Sequence, residues 1–227
     1  MDKTDILNKL ASYPARWFLS FSQESGNSFL TSALKILFKN GLKASGDFAV
    51  ENLRIDKQNY KVVRLDFSNL KPSSGIFEFR KALTDFLIDS FRSVGFSYDK
   101  EGTSVFSQLS RLLKTIPPCT LVLLIVDYDF PLTYSMSNEK LYRDVGYVLS
   151  EFYALLKSND GAFRFLLITG VTDFRQTCLL NDLNHLTDLK RLSQGSLLGV
   201  SSDDLVRGFD DCLTQPSETV PTKNNNI

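Results

Sequence analysis

The sequence predicts an α/β fold, a parallel β-sheet held between layers of helices, on three observations. Residues 119–126 (Cys-Thr-Leu-Val-Leu-Leu-Ile-Val) and 163–169 are nearly continuous apolar runs, the pattern of strands buried on both faces. The stretches before them carry apolar residues at helical spacing. Strand-like and helix-like stretches alternate along the chain, the order that gives parallel strands joined by right-handed crossovers.

Each element has its own signal. Residues 3–10 place Ile6, Leu7 and Leu10 at helical spacing, and Pro14 ends that helix. Residues 16–21 (Arg-Trp-Phe-Leu-Ser-Phe) read as a short buried strand, followed by the small-residue turn Ser25-Gly26-Asn27-Ser28. The next helix, 29–39, gathers Leu30, Ala33, Leu34, Leu37 and Phe38 on one stripe, with Gly41 as its stop. Residues 61–67 are rich in Val and aromatic residues and read as a strand. Helices follow at 77–91, where Phe79, Leu83, Phe86, Leu87 and Phe91 recur, and at 106–113, before the Pro117-Pro118 break. The apolar run 119–126 is the central strand. A helix at 140–156, a turn at Asn159-Asp160-Gly161 and the second buried strand come next. A further strand near 196–200 and a helix over 202–213 close the domain, 1–213. The tail, 214–227, has two prolines and an Asn224-Asn225-Asn226 run and is expected to be disordered.

Composition narrows the function. Of 227 residues, 43% are hydrophobic and 23% charged, enough for a sizeable core without metal or disulfide staples. Lys plus Arg equals Asp plus Glu at 26 each, which counts against a general nucleic-acid binder. No apolar run is long enough to span a bilayer, and the acidic start at Asp2 and Asp5 is unlike a Sec signal. Cys119, Cys178 and Cys212 are odd in number and widely spaced, which suits buried free thiols in a reducing compartment.

In parallel sheets ligands gather beyond the carboxyl ends of the strands, here Ser22 to Ser28, Asp66 to Ser68, Asp127 to Asp129 and Thr169 to Asp173. A strand, a Gly-containing turn and a helix form a phosphate cradle, because backbone N–H groups and the helix dipole attract an anion. Ser25, Gly26, Asn27 and Ser28 stand in that place. A working P-loop needs lysine beside its last glycine and Ser or Thr for Mg²⁺. Ser28 supplies the hydroxyl, but Asn27 holds the lysine position. The same turn also reads as a plain helix N-cap.

Further matches extend the pattern. Asp2-Lys3-Thr4, Phe18-Leu19-Ser20, Gly26 and Ser28, Leu65-Asp66-Phe67, Leu124 to Pro131, Ile168-Thr169-Gly170-Val171 and Leu183 to Asp188 occur in order with sensible spacing. With these the chain resembles the predicted AAA-ATPase-like family, a bacterial P-loop group often joined to a nuclease-like domain. The resemblance implies a P-loop NTPase core over residues 2–209, ATP and Mg²⁺ as ligands, and a polar sensor of the γ-phosphate at Thr169. Thr169 also reads as a cap of the turn that follows.

The departures point the other way. The family's basic loop residues fall on Phe21, Gln23, Glu24 and Asn27, so the cations are gone and an acid has arrived. A charged hydrogen bond to phosphate contributes about 1.5–3 kcal/mol, so losing the lysine alone weakens binding about tenfold to a hundredfold. The family's Walker B aspartate falls on Val126 and its catalytic glutamate on Asp127; a slip of one makes Asp127 the metal-side acid and Tyr128 the base. Either register damages a role that phosphoryl transfer needs. If Mg²⁺ binds, Ser28, Asp127 and Asp129 are its expected ligands, and Asp127 is the candidate catalytic acid. On a strand, Asp127 and Asp129 would share a face; the alternative is that they cap a strand end. His185, the sole histidine, reads as structural, with a Cys178 pairing as the rival.

The resulting expectation is a pseudo-ATPase without a required cofactor, acting through another protein. A weak or partner-dependent ATPase using ATP and Mg²⁺ is the alternative. AAA-type domains often assemble, so the resemblance allows oligomerisation. The expected location is the cytoplasm, or outside the cell by a route without a Sec signal.

Overall fold

The computed structural model describes residues 10–11, 14–20, 25–40, 60–175, 177 and 180–189. Strands β1 (Ala15–Ser20), β2 (Lys61–Asp66), β3 (Leu121–Val126), β4 (Phe163–Gly170) and β5 (Thr187–Asp188) form one sheet in the order β2-β3-β4-β1-β5. All pairings are parallel. The helices are α1 (Ser25–Asn40), α2 (Ile76–Phe91), α3 (Val105–Thr115), α4 (Phe130–Ser135) and α5 (Glu139–Ser158). The α/β fold read from the sequence is therefore the one observed.

The two sheet faces carry separate cores. Every residue of β3 and β4 is buried, as a central parallel strand covered on both sides requires. Leu121, Leu123 and Ile125 face the larger core, where they meet Phe79, Leu83, Leu87 and Phe91 of α2, Leu109 of α3 and Phe152 of α5. Val122 and Leu124 face the other way, onto Leu30, Leu34 and Phe38 of α1. The stripes foreseen for α1 and α2 are the buried ones, except that Phe86, Ala33 and Leu37 are only half covered. Phe77 stands largely in solvent.

Side-chain alternation breaks once along β4. Phe163 joins the larger core and Phe165 the smaller, and opposite them Leu121 and Val122 are consecutive. The extra residue is Arg164, a β-bulge whose guanidinium donates to the Ala11 carbonyl and lies over the Tyr60 ring.

Several expectations change. The run 119–126 enters the sheet only at Leu121, because Cys119 follows Pro117-Pro118 in a left-handed conformation (φ 57°). Cys119 is consequently exposed instead of buried. α4 has no counterpart in the sequence reading: Pro131 sits in its first turn, where a missing N–H costs nothing. β5 pairs with Trp17 and Phe18 of β1 through only two residues. The elements expected at 3–9, 196–200 and 202–213, the tail, Gly41, Cys178 and Cys212 lie outside the described residues.

Candidate functional site

β1 ends at Ser20 and α1 begins at Ser25, so Ser25, Gly26, Asn27 and Ser28 form the first turn of a 16-residue helix. The first N–H groups of a helix have no partner within it, and they carry the positive end of its dipole. Expected as a turn ahead of a helix at 29–39, Ser25 to Ser28 instead begin the helix, and the residues 21–24 that would complete a cradle lie outside the described residues. The first turn contains no acidic residue, and the only basic residue in the last turn is Lys39.

On the α1 face the strand ends form a row. Asp66 is the register partner of Val126, and Leu19 is the partner of Thr169. Val122 and Leu124 face α1, so alternation puts Val126 on that face as well. Val126 is therefore a buried valine beside Asp66 on that face.

Asp66 has its own duties. Its carboxylate accepts from the Ser68 amide at 3.2 Å and the Ser68 hydroxyl at 2.6 Å, and pairs with Arg64 Nη2 at 3.0 Å. Arg64 in turn donates from Nε to Thr31 Oγ1 of α1 at 3.3 Å. This cation near the cradle helix was not singled out from the sequence, and it is tied to an acid. An arginine within a strand carries no local signal of its partner.

Asp127 lies past the end of β3, in a left-handed conformation (φ 52°). Asp and Asn tolerate that region better than other residues with a Cβ. Because the strand stops at Val126, Asp127 and Asp129 do not share a strand face. Asp129 is 3% exposed, and its carboxylate accepts from the Val171 amide (3.3 and 3.2 Å) and the Thr172 amide (2.6 Å). Of its two sequence readings, this geometry matches the strand-end cap.

Tyr128 is buried between the same two loops. Its hydroxyl accepts from the Phe174 amide at 2.8 Å and donates to the Thr172 carbonyl at 2.9 Å. Burial pushes its phenol far above the ordinary tyrosine range. Tyr153 of α5 donates to the Tyr128 carbonyl at 3.4 Å, and burial raises its phenol too. Thr169 is fully buried, and its hydroxyl donates to the Ile125 carbonyl of β3 at 3.2 Å.

Arg175, also unforeseen, closes the far side. It holds Asp173 through two bonds (2.9 and 2.7 Å) and Asp188 of β5 through a third (2.7 Å), with its guanidinium 3.8 Å from the Phe18 ring centroid. Hydrogen bonding to Asp173 and Asp188 pushes its pKa up, against burial, which pulls it down. His185 bonds locally, its Nδ1 donating to the Asp182 carbonyl at 2.7 Å.

Mg²⁺ wants several oxygens in octahedral array. Asp66 and Asp129 are committed to protein partners, and Val126 offers no oxygen. Among the described residues no three His, Cys, Asp or Glu stand close enough to hold a metal ion, and none of the helices there is long and apolar enough to cross a membrane.

No solved structure matches this chain. The chain is similar to a protein of Azotobacter chroococcum mcd 1 described as an uncharacterized protein in the vnfD 5' region, at 23% identity over 203 residues. That match covers 87% of this chain and 38% of the Azotobacter protein, so the chain spans well under half of its relative's length. A family model described as Predicted AAA-ATPase matches residues 1–180, over the strand ends and the cradle helix just described, and the chain belongs to that AAA-ATPase-like family.

Proposed function

We propose that this chain is a degenerate AAA-ATPase-like domain, a pseudo-ATPase that keeps the scaffold and works as a protein-interaction or regulatory module. The observation that carries the reading is that Val126 is apolar and buried; in the register without a slip, the resemblance puts the family's metal-side acid at that position. The sequence from 21 to 27 adds to it, with Phe21, Gln23, Glu24 and Asn27 at the family's basic positions. A loop sequence with Glu24 and no lysine or arginine at the family's basic positions repels a triphosphate where a working P-loop attracts one. Its partner is another protein, and its place of action is the cytoplasm or beyond a Sec-independent export route. Incubation of the purified chain with Mg·ATP should give no phosphate release above background. Turnover that disappears in Asp127→Ala would overturn the reading.

The second reading is a weak or partner-dependent ATPase, favoured by the start of α1 at Ser25, whose first N–H groups have no partner within the helix. It would use the first-turn amides, Ser28 and Asp127. Thermal-shift titration with ATP and ADP separates the two: saturable stabilisation that is lost in Ser28→Ala supports the enzyme.

A further inference from the structure

We infer that residues 169–174, gripped by Tyr128 and Asp129 on one side and by Arg175 on the other, are a fixed keystone of the sheet's carboxyl end, and not a loop that moves with nucleotide. The inference is independent of whether nucleotide binds.

The contacts are consecutive and come from both flanks. The Thr169 carbonyl accepts from the Tyr128 amide at 3.1 Å, while its hydroxyl reaches back to Ile125 at 3.2 Å. A Cβ on Gly170 would lie 2.6 and 2.8 Å from the Tyr128 ring, closer than packed atoms allow, so only glycine lets the ring approach. The Val171 and Thr172 amides end on the Asp129 carboxylate. The Thr172 carbonyl and the Phe174 amide end on the Tyr128 hydroxyl. Asp173 ends on Arg175, which also holds Asp188 of β5 and covers Phe18 of β1.

Two physical features make this arrangement stiff. Tyr128 and Asp129 are almost without solvent exposure, so releasing the segment strands a buried carboxylate and a buried hydroxyl. The bonds also run to main-chain atoms, so they fix the backbone itself and not a rotatable side chain. Movement of the segment therefore requires several buried polar groups to open together, which couples it to opening of the sheet.

Native-state hydrogen exchange on the full chain tests this. The amides of Val171, Thr172 and Phe174 are expected to be as protected as the β4 amide of Leu167, with the same urea dependence. Addition of Mg·ATP should leave them unchanged. In Tyr128→Phe, the Phe174 amide should lose about tenfold more protection than Leu167 does, since its buried acceptor is gone. Exchange of these amides about a hundredfold faster than Leu167 in the unmodified chain, as in a locally opening loop, would overturn the inference. So would a tenfold-scale response to Mg·ATP. That measurement on the unmodified chain stands even if the variant fails to fold. ATP turnover with unchanged exchange would sink the pseudo-ATPase reading and leave the keystone intact.

Discussion

Val126 and Asp66 are register partners at the carboxyl ends of β3 and β2, an apolar side chain beside a carboxylate that is already bound to Arg64 and Ser68. Placing an acid at the valine puts two like charges on adjacent strands in a buried position. Val126→Asp is expected to lower the unfolding free energy by at least about 2 kcal/mol, by burial of an uncompensated charge. Urea denaturation measures it. Millimolar Mg²⁺ should not restore the loss; full restoration by Mg²⁺ would show that a cation seat exists there after all.

Gly170 offers a sharper steric test. Its Cα faces the Tyr128 ring at the point where β4 leaves the sheet. Gly170→Ala must displace Tyr128 or Asp129, and is expected to cost about 1–3 kcal/mol as overpacking. For a domain of this size that is a fall in melting temperature of roughly 2–4 °C per kcal/mol. Gly161→Ala, where no heavy atom lies within 4 Å of the added Cβ, is the control and should change little.

Tyr128 and Tyr153 give the protein an alkaline limit. Burial raises both phenols well above their ordinary value, and nearby Tyr128 and Asp129 raise Tyr153 further. An acid whose folded pKa is raised holds its proton in the fold after the unfolded chain has lost it. The stabilisation is therefore complete below the unfolded value, about 10, and falls as pH climbs above it, by about 1.4 kcal/mol per unit for each phenol. Urea unfolding between pH 9 and about 11.5 should show this decline, with a shallower slope in Tyr153→Phe.

The legible part of the molecule was its apolar pattern. Leu121 to Val126 and Phe163 to Gly170 announced buried strands because both faces of a central parallel strand are apolar, and Leu30, Leu34 and Phe38 announced the buried stripe of α1. Polar roles were harder to read. Asp129 reads from the sequence as a metal ligand beside Asp127 or as a strand-end cap, and the structure has it capping amides 42 and 43 residues downstream, partners that only the sheet brings to it. Arg175 resembles any surface arginine until β5 brings Asp188 to it. β5 itself is two residues long, too short for alternation to show.

The account turns on whether the turn at Ser25 to Ser28 attracts a magnesium-bound triphosphate. Isothermal titration of the purified chain with Mg·ATP measures that directly, alongside Asn27→Lys, which restores the missing cation. The expected result is no saturable heat for the unmodified chain, and tighter binding, by about tenfold or more, once lysine is present. Saturable micromolar-range binding by the unmodified chain, lost in Asp127→Ala, would contradict it.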